Sequence, residues 1–490
     1  MLLILLLVVP LLAGVVCLFI RSQRVLEALN LLPFAAVAVL ACVLGANVLR
    51  NGSAEALEGF LYADGLSALV VGLTAFVALV CSVYAVGYFR HELRSSKITA
   101  KQFHRYYSLT PLFVFAMLLV TLANSLGVMW VAIEGTTLAS VLLIAFYNER
   151  TSLEAAWKYI IIGSVGISLA LLGTIFTYYA AAGVLGADSS KGLNWSVLLP
   201  LAEKFNAPAM KLAFVLALLG YGTKLGLAPM HTWKPDAYSE APVPAAALLG
   251  AGVINCAFYA VIRFQVLATK CLGVAFPSKL LLLFGLASII VAAPFILAQR
   301  NYRRLLAYSS IEHAGIMVTA LGFGGKLGVL GALLHMLFHA VTKPLVFFCA
   351  GNVQQHFATP YLRKVRGAIH VLPASALLLL VGVLAMTGTP PFSIFQSEFT
   401  ILSAGMAGGH GWLVALFMVC VVTIFAGFLS HIVRICLGAA PENTPRAIVC
   451  PWKFAAMMIV LLPVIALGIW LPRPLFALVQ AAARITGVAP

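Results

Sequence analysis

An all-α polytopic membrane protein with about 14 transmembrane helices is what three features of this 490-residue sequence predict. Hydrophobic residues make up 62% of the chain and charged residues only 9%. Together with a mean hydropathy of +1.05, that balance excludes a water-soluble globule. The apolar runs approach or exceed the roughly 20 residues a helix needs to cross a bilayer. Fourteen of them begin near residues 2, 27, 64, 107, 124, 153, 208, 240, 277, 305, 326, 369, 411 and 453. Loops are short, with no Ser-rich, acidic or low-complexity linker, so a single membrane domain over 1–490 is expected. It divides into three N-terminal spans (1–106), two five-span repeats (107–266 and 277–437) and a C-terminal span (453–485).

The first run lacks a basic n-region and an Ala-x-Ala cleavage site and reads as a retained span. The formal charge of +16 is spread over loops between spans and not over one soluble face. Positive-inside sorting accounts for that distribution better than nucleic-acid binding does. With the N-terminus outside, 18 of the 31 Lys and Arg fall on the inner side, Lys234 among them, and 10 on the outer side. Lys158, Lys224 and Lys343 remain for the spans. An even span count then places both termini on the outer, periplasmic side of the cell's inner (plasma) membrane. The basic stretch 89–106 reads as a topology-fixing loop. The outer loop near 181–207 and the inner loops near 352–368 and 438–452 are the other places with room for surface contacts. The nine cysteines are scattered without a Cys-x-x-Cys pair, so they supply no iron–sulfur or zinc framework. Without a Gly-x-Gly-x-x-Gly or Walker loop, no nucleotide site is expected either. No cofactor or metal of its own is therefore expected, and the driving energy comes from an ion gradient or a partner.

Two spans are interrupted by proline. Pro229 follows Lys224 by five residues and, lacking an N–H, frees a helical carbonyl near Leu225. Pro390 and Pro391, in Thr387-Gly-Thr-Pro-Pro-Phe-Ser-Ile-Phe-Gln-Ser-Glu398, do the same in span 12. Broken helices are tolerated in membranes where they line a polar cavity, and in many transporters they occupy corresponding positions of two repeated halves. Spans 4–8 and 9–13 would be those halves, with spans 7 and 12 as the broken fourth members.

Ionisable residues stand in the same apolar stretches. A Lys or Asp at mid-bilayer costs roughly 2.5 to 3.5 kcal/mol on insertion scales, so residues kept there usually line a polar path. Desolvation disfavours the charged forms of Glu134 and Lys224, and bringing them together would favour both charges again. A pair that closes and separates would load and unload one proton. His335, His339 and Lys343 are spaced i, i+4, i+8 and share one helix face. Histidine titrates near neutrality, which suits a water-filled proton relay. An i, i+4 histidine pair also fits zinc, but no His-Glu-x-x-His or nearby cysteine completes such a site. Glu398, beside the second break, is a candidate exit group. Glu312 and His313, expected near a span end, are candidate links between two half-channels.

The segments Tyr-Gly-Thr-Lys224-Leu-Gly-Leu-Ala-Pro-Met-His231-Thr-Trp-Lys-Pro-Asp236, Leu-Leu-Ala-Tyr-Ser-Ser-Ile-Glu312-His313, Met-Leu-Phe-His339-Ala-Val-Thr-Lys343-Pro and Thr-Pro-Pro-Phe resemble the antiporter-like subunits of respiratory complex I and its relatives. The resemblance runs from about residue 60 to 435. Trp-Val-Ala-Ile-Glu134-Gly-Thr-Thr and Glu-Ala-Ala-Trp-Lys158-Tyr are most similar to the component F branch of hydrogenase-4, a membrane-bound [NiFe] hydrogenase. The resemblance implies 14 core helices with two inverted five-helix repeats. It also implies Glu134 and Lys224 as the input-side pair, His335 and His339 as central relay and Glu398 as the output-side group. Electron transfer would then take place in other subunits. One departure stands out: the eighth span reads Gly252-Val-Ile-Asn255-Cys, where many superfamily members carry Lys or His. Asn255 holds water but carries no proton charge, so the bridge from Lys224 to His335 is expected to run through water. The chain also stops soon after Arg484, without the long lateral helix of one complex I subunit.

The expectation is a proton-translocating membrane subunit of a multisubunit redox complex, without a redox centre in this chain. Its partners would be other membrane subunits, iron–sulfur or hydrogenase-like peripheral subunits and the lipid bilayer, with no nucleic acid. Two rival classes are a subunit of a multisubunit sodium/proton antiporter or of a proton-coupled inorganic carbon uptake system, and a structural membrane anchor whose path has decayed at Asn255.

Overall fold

Every one of the 14 apolar runs becomes helical in the computed structural model, which describes residues 1–185, 191–440 and 445–487. The loops expected at 181–207 and 438–452 lie partly outside the described residues. In chain order the helices are α1 Leu2–Phe19, α2 Gln23–Asn51, α3 Gly65–Arg94, α4 Ala100–Leu122, α5 Leu126–Ile144 and α6 Arg150–Ala181. A broken pair follows, α7 Ala207–Leu225 and α8 Trp233–Glu240. Then come α9 Val243–Leu272, α10 Ala275–Ala298, α11 Tyr302–Phe323 and α12 Gly325–Phe357. The second broken pair is α13 Pro373–Met386 and α14 Ser393–Ala407, followed by α15 Gly411–Cys436, α16 Pro451–Ile469 and α17 Arg473–Arg484. Among the described residues, 11 helices are long and apolar enough to cross a membrane unaided. The other three runs are interrupted or polar for a reason given below. The α7/α8 and α13/α14 pairs are the proline-broken spans, and α11 carries Arg303, Arg304, Glu312 and His313.

Most of the expected loop at 89–106 is helix. Helix α3 runs on to Arg94 and α4 begins at Ala100 under a capping box in which Thr99 and Gln102 satisfy each other's backbone N–H. The basic residues there decorate two helix ends. Between α2 and α3 the chain forms a small antiparallel hairpin, β1 Ala54–Ala56 with β2 Leu61–Ala63. The stretch 453–485 likewise resolves into one spanning helix and the amphipathic α17. Val479, Ala482 and Ala483 of α17 are buried, and Gly65 of α3 admits its backbone so closely that a Cβ there would lie 2.6 Å from the Ala481 carbonyl carbon.

Close helix contacts hold the bundle together around the first break. Gly166 and Gly173 of α6 face Thr223 and Ala217 of α7, and a Cβ on either glycine would come within 2.7 Å of α7 atoms. Helices α10 and α11 approach in the same way through Gly285 and Gly315. Small residues replace the hydrophobic drive that lipid cannot supply between membrane helices. At the first break Gly226 takes φ 84°, and the N–H groups of Gly226 and Leu227 both return to the Gly222 carbonyl at 2.8 Å. The second break has Gly388 at φ 67°, and both breaks carry a cis X-Pro peptide, at Ala228–Pro229 and Pro390–Pro391. Helix α9 contains one π-helical stretch, Leu249–Val253, immediately before Asn255.

Candidate functional site

Lys224 sits on the last turn of α7 and is 5% exposed. Its Nζ donates to Thr137 Oγ1 at 2.8 Å and to Tyr159 OH at 2.6 Å, and it lies 4.9 Å from the Tyr159 ring centroid. Tyr159 OH is also 2.6 Å from Ser140 Oγ. The expected Glu134–Lys224 contact is absent among the ion pairs of the described residues. Glu134 precedes Thr137 by three residues, so both lie on one side of α5, but the ammonium is held a turn away by the two hydroxyls. Glu134 Oε2 is buried without a hydrogen-bond partner. The arrangement therefore holds the pair open: among the described residues the carboxylate has no ion-pair partner, and the lysine rests on neutral groups.

One lysine is placed differently from expectation. Lys234, assigned to the inner side, is fully buried, because the chain re-enters the bundle as α8 after the break. Its Nζ donates to Leu225 O at 2.6 Å, the carbonyl that the break leaves without an N–H, and to Ser310 O at 3.4 Å. Lys158 lies within the spanning helix α6, as expected, with its side chain 46% exposed and paired with Glu154 at 2.6 Å and Asp236 at 3.1 Å. Arg304 meets the same Asp236 at 3.1 Å, so these groups form one partly exposed charge cluster.

The His335, His339, Lys343 stripe is wholly buried on α12 and faces α11. Lys343 Nζ donates to Leu306 O at 2.9 Å and to Ser309 Oγ. Glu312 and His313 do not stand near a span end. They lie mid-way along α11, 4% and 1% exposed, where water at the interface does not reach them. His313 Nδ1 is 2.9 Å from His335 Nε2, and His335 Nδ1 is 2.9 Å from Ser397 Oγ of α14. The donor directions follow for neutral rings. Ser397 donates its hydroxyl proton to Ile394 O at 2.8 Å, so His335 donates from Nδ1 and accepts at Nε2, and His313 donates from Nδ1. That leaves the lone pair of His313 Nε2 free, and this atom is buried without a partner. Both nitrogens of His339 are also unpartnered, with its ring 4.8 Å from that of His313. Buried polar atoms of this kind call for ordered water.

Glu398 follows Ser397 on α14 and lines a cavity of about 300 Å3 with Thr387, Gly388, Thr389, Pro390 and Phe417. A Cβ on Gly388 would run into Glu398 Oε2. Gly388→Ala is therefore expected to push the carboxylate aside, and the left-handed backbone adds roughly 1–2 kcal/mol for a non-glycine residue. Proton translocation should fall while the protein still inserts and folds; full activity in that variant would show that the carboxylate position is not critical. Asn255 donates from Nδ2 to Ala251 O at 2.7 Å, and its Oδ1 is buried and unpartnered. It bonds neither to Lys224 nor to Lys343 among the hydrogen bonds of the described residues. No group of three or more His, Cys, Asp or Glu among the described residues is arranged to hold a metal ion.

Several partners had no sequence signal beyond being polar residues in apolar runs: Thr137, Ser140, Tyr159 and Ser397. Asp64 and Arg263 form a further cluster, a two-fold ion pair at 2.6 and 2.9 Å with the guanidinium 4.4 Å from the Trp195 ring centroid.

A helix bundle with two interrupted helices and buried ionisable side chains strung between them is the build of an antiporter-like membrane subunit. The family described as NADH:quinone oxidoreductase/Mrp antiporter, TM matches residues 123–424, and the chain belongs to it. It is similar to a hydrogenase-4 component F homolog of Methylacidiphilum infernorum (isolate V4), 35% identical over 415 residues, 84% of this chain and 86% of that protein. NADH-quinone oxidoreductase subunit N of Desulforudis audaxviator (strain MP104C) is 31% identical over 388 residues, covering 79% and 74%. A chain of the membrane-bound sulfane sulfur reductase, an archaeal respiratory membrane complex, superposes with a TM-score of 0.87 at 23% identity, covering 99% of this chain and 97% of that one. That last likeness concerns the fold.

Proposed function

We propose that this chain is the proton-translocating membrane subunit of a multisubunit redox complex of the hydrogenase-4 or complex I kind, driven by electron transfer in partner subunits. The observation that carries the proposal is the row of buried ionisable groups within the bundle: Lys224 on its two hydroxyls, Lys343 on Ser309, the hydrogen-bonded run His313–His335–Ser397, and Glu398 next to Ser397 on α14. Protons enter from the cytoplasmic side near Glu134 and Lys224, pass along the middle of the bundle and leave past Glu398. Closing Glu134 onto Lys224 stabilises the ammonium, and opening it to the state seen here favours release. In the histidine segment, a proton taken up at His313 Nε2 allows the Nδ1 proton to move to His335 and onward toward Ser397. Glu312, buried beside His313 on α11, is a further ionisable group of this segment. Iron–sulfur or hydrogenase-like peripheral subunits carry the electrons, and the complex sits in the inner membrane with both termini of this chain outside.

Inverted membrane vesicles holding the complex test the reading. Turnover of the complex is expected to acidify the lumen, followed with an acridine dye, in sodium-free buffer. A strict sodium requirement, or co-purification with small antiporter subunits alone, would move the chain to the sodium/proton antiporter class.

A further inference from the structure

We propose that Lys234 is the proton-carrying group that joins Lys224 to Lys343, an inference that rests on the proton path above. Lys234 is 0% exposed, yet among the described residues no carboxylate pairs with it. Its two acceptors lie at the two ends of the gap to be crossed. Leu225 O, at 2.6 Å, belongs to the residue after Lys224. Ser310 O, at 3.4 Å, belongs to the residue after Ser309, whose hydroxyl holds Lys343. One flexible side chain thus touches the turn of α7 that carries the entry lysine and the turn of α11 whose Ser309 holds the next one.

The neighbouring backbone is shaped around this ammonium. Gly226 has φ 84°, and a Cβ there would lie 2.7 Å from Lys234 Nζ. The second break repeats the arrangement, with Gly388 bare against Glu398. Each interrupted helix therefore lays one ionisable side chain on its positive-φ glycine. The aromatic neighbours connect the same region: the Trp233 ring lies 4.9 Å from that of Tyr159, whose hydroxyl holds Lys224, at a tilt of 55°, and Trp233 donates from Nε1 to Thr223 O at 3.0 Å. Asn255 of α9 carries no proton charge and bonds only to Ala251 O among the hydrogen bonds of the described residues. A lysine ammonium with only carbonyl acceptors can release a proton to one side and regain it from the other by swinging its terminal methylenes.

The alternative role is a cap for the freed Leu225 carbonyl. Arginine serves as such a cap and keeps the charge but holds its proton throughout, and glutamine keeps a donor without any titratable charge. Lys234→Arg and Lys234→Gln are to be compared with Lys224→Met in vesicles holding the assembled complex, scoring protons delivered per electron. Both Lys234 variants are expected to lower the ratio at least fivefold, with the complex still assembled. A wild-type ratio in the arginine or glutamine variant would make Lys234 a cap and overturn the proposal. The parent reading fails separately, if the wild type does not acidify the lumen or Lys224→Met leaves the ratio unchanged.

Discussion

Lys224→Met is expected to abolish the protons this subunit moves while the helix bundle stays folded. The side chain stays unbranched and is only one atom shorter, so the packing of α6 against α7 through Gly166, Gly173 and Gly220 is untouched. What disappears is the ammonium that Thr137 and Tyr159 hold at 2.8 and 2.6 Å. Leaving two buried hydroxyls with fewer partners costs about 1–3 kcal/mol. That loss is tolerable in a bundle of this size, and methionine removes the expense of burying a charge. The measurement is protons per electron in vesicles, with assembly checked by co-purification. A ratio equal to wild type would remove Lys224 from the path, and with it the role of Glu134 as its switch. Tyr159→Phe separates the two hydroxyls: it keeps the ring beneath the ammonium and deletes the link to Ser140, so a partial fall in the ratio is expected. If Tyr159→Phe is as damaging as Lys224→Met, the Tyr159 hydroxyl is itself part of the conducting chain.

The sequence made the helices legible because lipid imposes one rule on every spanning segment, namely that its backbone be satisfied internally and its surface be apolar. The same rule exposed Lys224, Lys343, His335 and Glu398, since an ionisable residue in an apolar run stands out against its neighbours. Their partners did not stand out. Thr137 and Ser397 are common in membrane helices, where they bond to their own backbone, and only the approach of a second helix turns such a hydroxyl outward. Lys234 was lost for a different reason. A Trp-Lys-Pro-Asp segment after a proline reads as a loop end, and counting charges by loop assigns it to the surface. The chain in fact returns into the bundle as α8, and that return is a matter of tertiary packing. The Glu134–Lys224 contact was inferred from charge and from the family resemblance, whereas helix rotation decides which residue of α5 meets the ammonium, and the residue it presents is Thr137.

Asp64→Asn and Arg263→Met are expected to produce the largest losses of stability in the chain, because each strands a buried charge. Asp64 and Arg263 are 7% and 2% exposed as side chains. The carboxylate accepts from Nη1 at 2.6 Å and Nη2 at 2.9 Å and also caps α3 by accepting from Ser67 N at 3.0 Å. The guanidinium lies over Trp195 and bonds to Tyr259 OH at 2.9 Å, so it ties the start of α3 to α9 and to the segment before α7. Removing one partner of such a pair costs about 3–5 kcal/mol, while replacing both by uncharged groups costs far less. The double variant should therefore be more stable than either single one, a non-additivity that follows from direct contact. Thermal unfolding in detergent, read from tryptophan fluorescence, tests this directly, since Trp195 reports on the guanidinium. Additive losses in the double variant would mean that the two groups act independently. The ion pair would then be a by-product of helix packing and not one of its causes.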